Sequence, residues 1–70
     1  MPHISIKLYP GRTEEVKQEL ALKTQKFLSE TMNLDPNVFS VAIEEIEKEN
    51  WDKEVVQNIK EDTLYVKPNF

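Results

Sequence analysis

Seventy residues allow one domain at most, and a chain this short buries only about 60% of the surface that its unfolded form exposes. There is no cysteine and a single histidine, His3, which rules out disulfides and thiolate metal sites and argues against a histidine-based metal centre. A net charge of −4 offers no basic patch for phosphates and argues against nucleic acid as a partner, though a small anionic substrate held by one arginine stays open. Of the usual supports for a small domain, oligomerisation is the one that remains. The N-terminus lacks a charged stretch followed by an apolar run, and no apolar run reaches membrane-spanning length, so a cytoplasmic protein with no membrane partner is expected.

In chain order, residues 2–9 read as a strand. Ile4, Ile6 and Leu8 alternate with His3, Ser5 and Lys7, and Pro10-Gly11 stops the pattern. Thr13 is a good helix N-cap, and Glu14 and Glu15 supply negative charge in the first turn. Val16, Leu20, Phe27 and Leu28, extended by Thr24, Thr31 and Met32, define an apolar face for a helix over 13–32. Asn33 is its end signal, and Asp35-Pro36 starts a turn. Residues 38–46 read as a second strand, with Phe39, Val41 and Ile43 on one face and Val38, Ser40, Ala42 and Glu44 on the other.

Strand, long helix, strand is a βαβ unit of the α/β (α+β) class, with parallel strands and a right-handed crossover. Two strands make too small a sheet to stand alone, which again asks for a partner's strands. Residues 47–50 form a charged turn. Residues 51–59 carry a helical turn or two, broken at Glu61-Asp62. Residues 63–66 read as a short extended piece. The tail carries Leu64, Tyr65 and Phe70 and is apolar enough to pack on its own domain or on a neighbouring subunit.

The chemistry concentrates at the start. A small second residue lets an initiator methionine be removed, and loss of Met1 would leave Pro2 as a free prolyl amine fixed at the end of a strand. An α-amino group ordinarily titrates at about 7.7–8.0. An apolar surrounding and a nearby cation lower that value. An amine titrating near the working pH suits proton transfer in both directions. If Met1 stays, Pro2 nitrogen is an amide and cannot serve as a base. Arg12 supplies a fixed positive charge at the far end of the same segment. The plainer readings are a proline that merely opens a strand and a solvated arginine at a helix start. Trp51, the only tryptophan, is equally a core or interface residue. His3 falls on the polar face without an obvious partner and reads as structural or solvated. Glu44, Glu45, Glu47 and Glu49 read as a solvated acidic face and not as a metal site.

From end to end the chain resembles small members of the tautomerase superfamily, the group that includes 4-oxalocrotonate tautomerase. Pro2 matches the position of the family's N-terminal catalytic proline. Leu8-Tyr9-Pro10-Gly11-Arg12-Thr13 resembles the strand end followed by Gly-Arg-Ser/Thr, in which the arginine binds substrate. Residues 37–46 resemble the second strand, and Trp51 falls where an aromatic residue closes the site. The chain departs from 4-oxalocrotonate tautomerase at Ser40, which aligns with a second arginine that would clamp a dicarboxylate. Ser40, Trp51 and the tail 64–70 are closer to the branch described as phenylpyruvate-tautomerase-like.

The resemblance implies a cofactor-independent keto–enol isomerase acting on 2-keto acids or their enols, with no metal. Pro2 would be the general acid/base. Arg12, Ser40 and Trp51 would bind substrate, with Phe39 bordering the site. It also implies a homo-oligomer, a dimer in preference to a hexamer. The alternatives are a hydratase or dehalogenase of the same superfamily, for which no water-activating group stands out, and a non-catalytic oligomerising module with the same fold.

Overall fold

The computed structural model describes residues 1–68. The alternating segment forms strand β1 (His3–Leu8), and the second forms β2 (Ser40–Glu45). The long helix α1 spans Glu14–Met32, and a short helix α2 spans Trp51–Glu54. Three-residue 3-10 turns stand at Pro36–Val38, Lys48–Asn50, Val56–Asn58 and Glu61–Thr63.

The two strands pair in parallel, in a register running from His3 opposite Ser40 to Leu8 opposite Glu45. The ladder is prolonged at both ends. Ser40 N–H donates to the Pro2 carbonyl at 3.1 Å, and Ile46 N–H donates to the Leu8 carbonyl at 2.7 Å. In parallel pairing, residues opposite one another share a face. One face therefore carries Ile4, Ile6, Leu8, Val41 and Ile43, and α1 lies across it, with Gln18 and Ala21 beside Val41 and Ile43. The other face carries His3, Ser5, Lys7, Ser40, Ala42 and Glu44 and has no layer over it among the described residues.

Both ends of α1 are set by local chemistry. Thr13 accepts from Val16 N–H at 3.2 Å, filling one of the unpaired donors of the first turn. Asn33 closes the helix in the left-handed conformation, φ 56°, with its N–H on the Ser29 carbonyl. Lys17 is held between Glu14 at 2.9 Å and Glu45 at 3.2 Å, which ties the first turn of the helix to the end of β2. Those hydrogen bonds, to Glu14 first and then Glu45, raise the Lys17 ammonium above its ordinary value.

The structure corrects three expectations. Val16 and Phe27 are not on the covered side of α1, and Phe27 is 66% exposed. The half-buried stripe runs instead through Lys17, Leu20, Ala21, Thr24, Gln25, Leu28 and Ser29. Two of its polar members serve the backbone of the connection: Gln25 donates to the Pro36 carbonyl at 2.7 Å and Ser29 donates to that of Leu34. The segment 63–66 is not extended. A 3-10 turn ends at Thr63, whose hydroxyl donates to the Lys60 carbonyl, and bends follow. In that tail Leu64 is half-buried, but Tyr65 and Val66 are largely exposed; Phe70 lies outside the described residues. The second strand begins at Ser40 and not at 38, because Asp35 caps Asn37 N–H at 2.8 Å and winds 36–38 into a turn.

Among the described residues only Phe39 and Ile46 are buried. Large apolar side chains at Val16, Leu22, Phe27, Met32, Val56 and Ile59 stay at least two-fifths exposed. One chain offers them no cover, and burying them is the driving force that association would use.

Candidate active site

The residues singled out in the sequence fall into two groups, at opposite ends of β1. Pro2, Phe39 and Ser40 are at the beginning. The Ser40 N–H bond to the Pro2 carbonyl fixes Pro2 against the start of β2. Phe39 is buried on the helix side of the sheet, directly before Ser40. His3 joins this group, contrary to the expectation that it has no partner. It stands opposite Ser40, and its Nδ1 lies 2.7 Å from the Ser40 Oγ. Alternation puts His3 and Ser40 on the polar side of their own strands, but the register that makes them neighbours is a product of the crossover, not of either strand. Met1 is fully exposed, so its departure would remove no packing. While it stays, the Pro2 nitrogen is a peptide nitrogen.

Arg12 and Trp51 are at the other end. Gly11 has φ 128°, a backbone conformation that side chains rarely adopt, although a Cβ there would meet nothing within 4 Å. The turn it permits brings the Arg12 guanidinium back to the Tyr9 carbonyl, Nη1 to O 3.4 Å. Trp51 meets Tyr9 edge to face, with ring centroids 4.8 Å apart and planes at 76°. Lys7, Leu8, Tyr9, Arg12 and Trp51 enclose a hollow of about 220 Å³. Tyr9 is the residue that the sequence reading missed here. Its signal was its place, an aromatic ring directly before the Pro-Gly turn that aims Arg12.

On its other side Trp51 borders a more apolar cleft of about 530 Å³, lined by Val55, Val56, Ile59, Leu64 and Val66 among others. The acidic run does not converge. Glu44 faces Lys7 at 3.5 Å on the open side of the sheet, and Glu45 faces Lys17 on the helix side.

The two groups cannot meet within one chain. Six residues of β1 at about 3.3 Å each separate them by roughly 20 Å. The hold on Arg12 at Tyr9 keeps its guanidinium at the far end. Pro2 stands at one end of the strand, and Arg12 stands at the other beside the Tyr9–Trp51 aromatic pair.

The parallel βαβ unit lies within residues 2–57, which the family model described as "Tautomerase enzyme" matches. The chain belongs to that family and is an isomerase of the tautomerase type. It is 36% identical over 55 residues to a probable tautomerase of Xylella fastidiosa, covering 79% of this chain and 67% of that protein. It is 39% identical over 51 residues to a probable tautomerase of Bacillus cereus, covering 73% and 84% of the two chains. It is 33% identical over 51 residues to the 2-hydroxymuconate tautomerase of Bacillus subtilis, covering 73% and 82%. Proteins of this family act on small molecules and typically oligomerise. No described helix is long and apolar enough to cross a membrane.

Proposed function

We propose that the protein is a cytoplasmic, cofactor-independent keto–enol tautomerase for 2-keto acids and their enols, phenylpyruvate-like in preference to dicarboxylic. Pro2, freed of Met1, is its general acid/base. The observation that carries this reading is the fixing of Pro2 at the open end of β1 by the Ser40 N–H. A base anchored in a sheet needs no reordering before it reacts.

In the ketonising direction the neutral amine takes the enol hydroxyl proton, and the prolinium delivers a proton to the β-carbon. The C=C pair forms the new C–H bond and the oxygen closes the carbonyl, so no electrons are gained or lost. Arg12 of a neighbouring copy holds the carboxylate or the oxygen on which charge develops, where its fork makes paired hydrogen bonds. Trp51 of that copy dries the pocket, and a dry pocket favours the uncharged amine. Phe39 borders the site and Ser40 offers one hydroxyl. The name of the Bacillus subtilis relative points to 2-hydroxymuconate. The resemblance that gives Ser40 the place of a second arginine leaves this chain one cation short for a second carboxylate. A monocarboxylate with an apolar body suits Trp51 and Tyr9 better. A homodimer, built so that each site joins the Pro2 end of one chain to the Arg12 end of the other, meets this requirement with the fewest copies.

The test joins an intact mass to an assay. The untagged protein from cytosolic expression is expected to lack Met1 and to convert the phenylpyruvate enol to its keto form. The Pro2→Ala protein, equally processed, is expected to lose most of the rate. Processed protein that is inactive over a panel of 2-keto acids, or as active without the proline, would sink the mechanism and leave a binding module with the tautomerase fold.

A further inference from the structure

We propose that His3 is a positioning residue that turns the Ser40 hydroxyl into a hydrogen-bond donor toward an anionic substrate at the Pro2 end. The inference rests on the tautomerase reading of that end and adds to it a residue and a direction of hydrogen bonding.

The geometry supplies three points. His3 and Ser40 are cross-strand partners, and the Nδ1 to Oγ distance of 2.7 Å is that of a well-made hydrogen bond. The same Ser40 gives its N–H to the Pro2 carbonyl, so its hydroxyl sits at a fixed offset from the proline. Both side chains lie on the sheet face that α1 does not cover. A polar pair exposed in this way adds little to folding, so a structural role explains it poorly.

A serine hydroxyl has one proton and two lone pairs, and its rotor is free unless a neighbour holds it. His3 holds it in one of two ways. With Nδ1 bare, the hydroxyl donates to the ring and turns only lone pairs outward, which opposes a carboxylate. With Nδ1 carrying a proton, in that tautomer or as imidazolium, the ring donates to Oγ. The serine proton is then free to point away, toward an acceptor oxygen. A 2-keto acid brings acceptor oxygens and a negative charge, so its binding favours the second arrangement. His3 thereby acts on the substrate through Ser40, and its effect falls on binding.

The test uses processed protein and the phenylpyruvate enol as probe, with wild type, His3→Ala, Ser40→Ala, the double variant, His3→Asn and Pro2→Ala. Asparagine puts an amide donor near the place of Nδ1. His3→Ala and Ser40→Ala are each expected to raise KM about threefold to tenfold with kcat within about twofold, the pattern of lost ground-state binding. The double variant is expected to be no worse than Ser40→Ala, since two residues acting through one bond are not additive. His3→Asn is expected to recover most of the wild-type KM.

A second readout needs no turnover. His3 is the only histidine, so its ring nitrogen resonances are unambiguous, and Ser40→Ala is expected to shift that of Nδ1. Losses that multiply independently, an unchanged KM in His3→Ala, a fall in kcat instead, no recovery with asparagine, or a ring resonance indifferent to Ser40→Ala would each overturn the inference. With Pro2→Ala inactive beside an active wild type, such a result removes His3 alone. An inactive wild type, or a fully active Pro2→Ala, removes the tautomerase mechanism and the role of His3 with it.

Discussion

The two ends of β1 are built differently. At the Pro2 end the backbone does the holding: a ladder hydrogen bond to Ser40, a register partner, and Phe39 buried behind. The Arg12 end has the same backbone support, with Leu8 opposite Glu45, the Ile46 N–H on the Leu8 carbonyl and Ile46 buried, and it adds side chains: the Tyr9–Trp51 contact, a guanidinium on a carbonyl, and an ion pair from Lys17 to Glu45. A base must be aimed, and a sheet terminus aims it with little freedom. A substrate clamp must admit and release its ligand, and side chains around a hollow of about 220 Å³ can give way. In the proposed mechanism each end is half of a site, and each chain leaves apolar side chains uncovered that a second chain can bury.

The strongest blow to this comparison falls on the Pro2 end. Replacing Pro2 by Ala keeps an N-terminal amine and a second residue small enough for methionine removal, but gives up the ring that limits its motion. The expected loss in kcat/KM is about 10²-fold or more, the usual size for a positioned acid/base. Next comes the division of the site between chains. Equal amounts of Pro2→Ala and Arg12→Ala protein, unfolded together and refolded, should regain about a quarter of wild-type activity, because random assembly leaves that share of cross-chain sites with both residues intact. If the mixture stays as inactive as its parents, Pro2 and Arg12 work within one chain and the separation along β1 has been misread. A smaller effect belongs to the aromatic wall. Trp51→Ala should raise KM for phenylpyruvate by about tenfold, near 1.4 kcal/mol, and raise it less for an aliphatic 2-keto acid. Steady-state kinetics on the two substrates decides it, and equal losses on both would mean that Trp51 braces Tyr9 without touching the substrate.

Much of this was legible in the chain. The alternation at residues 3–8 and 40–45, the Thr13 cap and the Asn33 stop mark three elements without help from packing. Arg12 after Gly11 was legible because the positive φ of that glycine is a local demand. What was not legible depends on pairs of elements. The rotation of α1 was misjudged because apolar spacing counts only apolar residues, whereas Gln25 and Ser29 face inward to serve the carbonyls of Pro36 and Leu34. Nothing within residues 2–9 or 38–46 says that His3 stands opposite Ser40, since register follows from the crossover between them. Tyr65 reads as packed, on its own domain or on a neighbouring subunit, because it is apolar, and in one chain it stays exposed.

The smallest predicted effect separates the two ends by pH. The hydrogen bonds from Glu14 and Glu45 raise Lys17 above its ordinary 10.5. A cation whose value is raised on folding stabilises the fold fully below its unfolded value and stops doing so as pH rises through the folded one. The bridge between α1 and the end of β2 should therefore hold at neutral pH and fail only on the alkaline side, above 10.5. Exposed pairs contribute little, so the effect is read as a difference. The urea midpoints of wild type and Lys17→Met should differ at neutral pH and converge as pH rises past the ordinary lysine value. A His3→Ala pair measured alongside should show no such alkaline convergence, since no ion pair among the described residues lies at the Pro2 end. If both pairs converge together, the alkaline change is a property of the whole chain. The contrast between an end braced by an ion pair and an end without one would then lose its support.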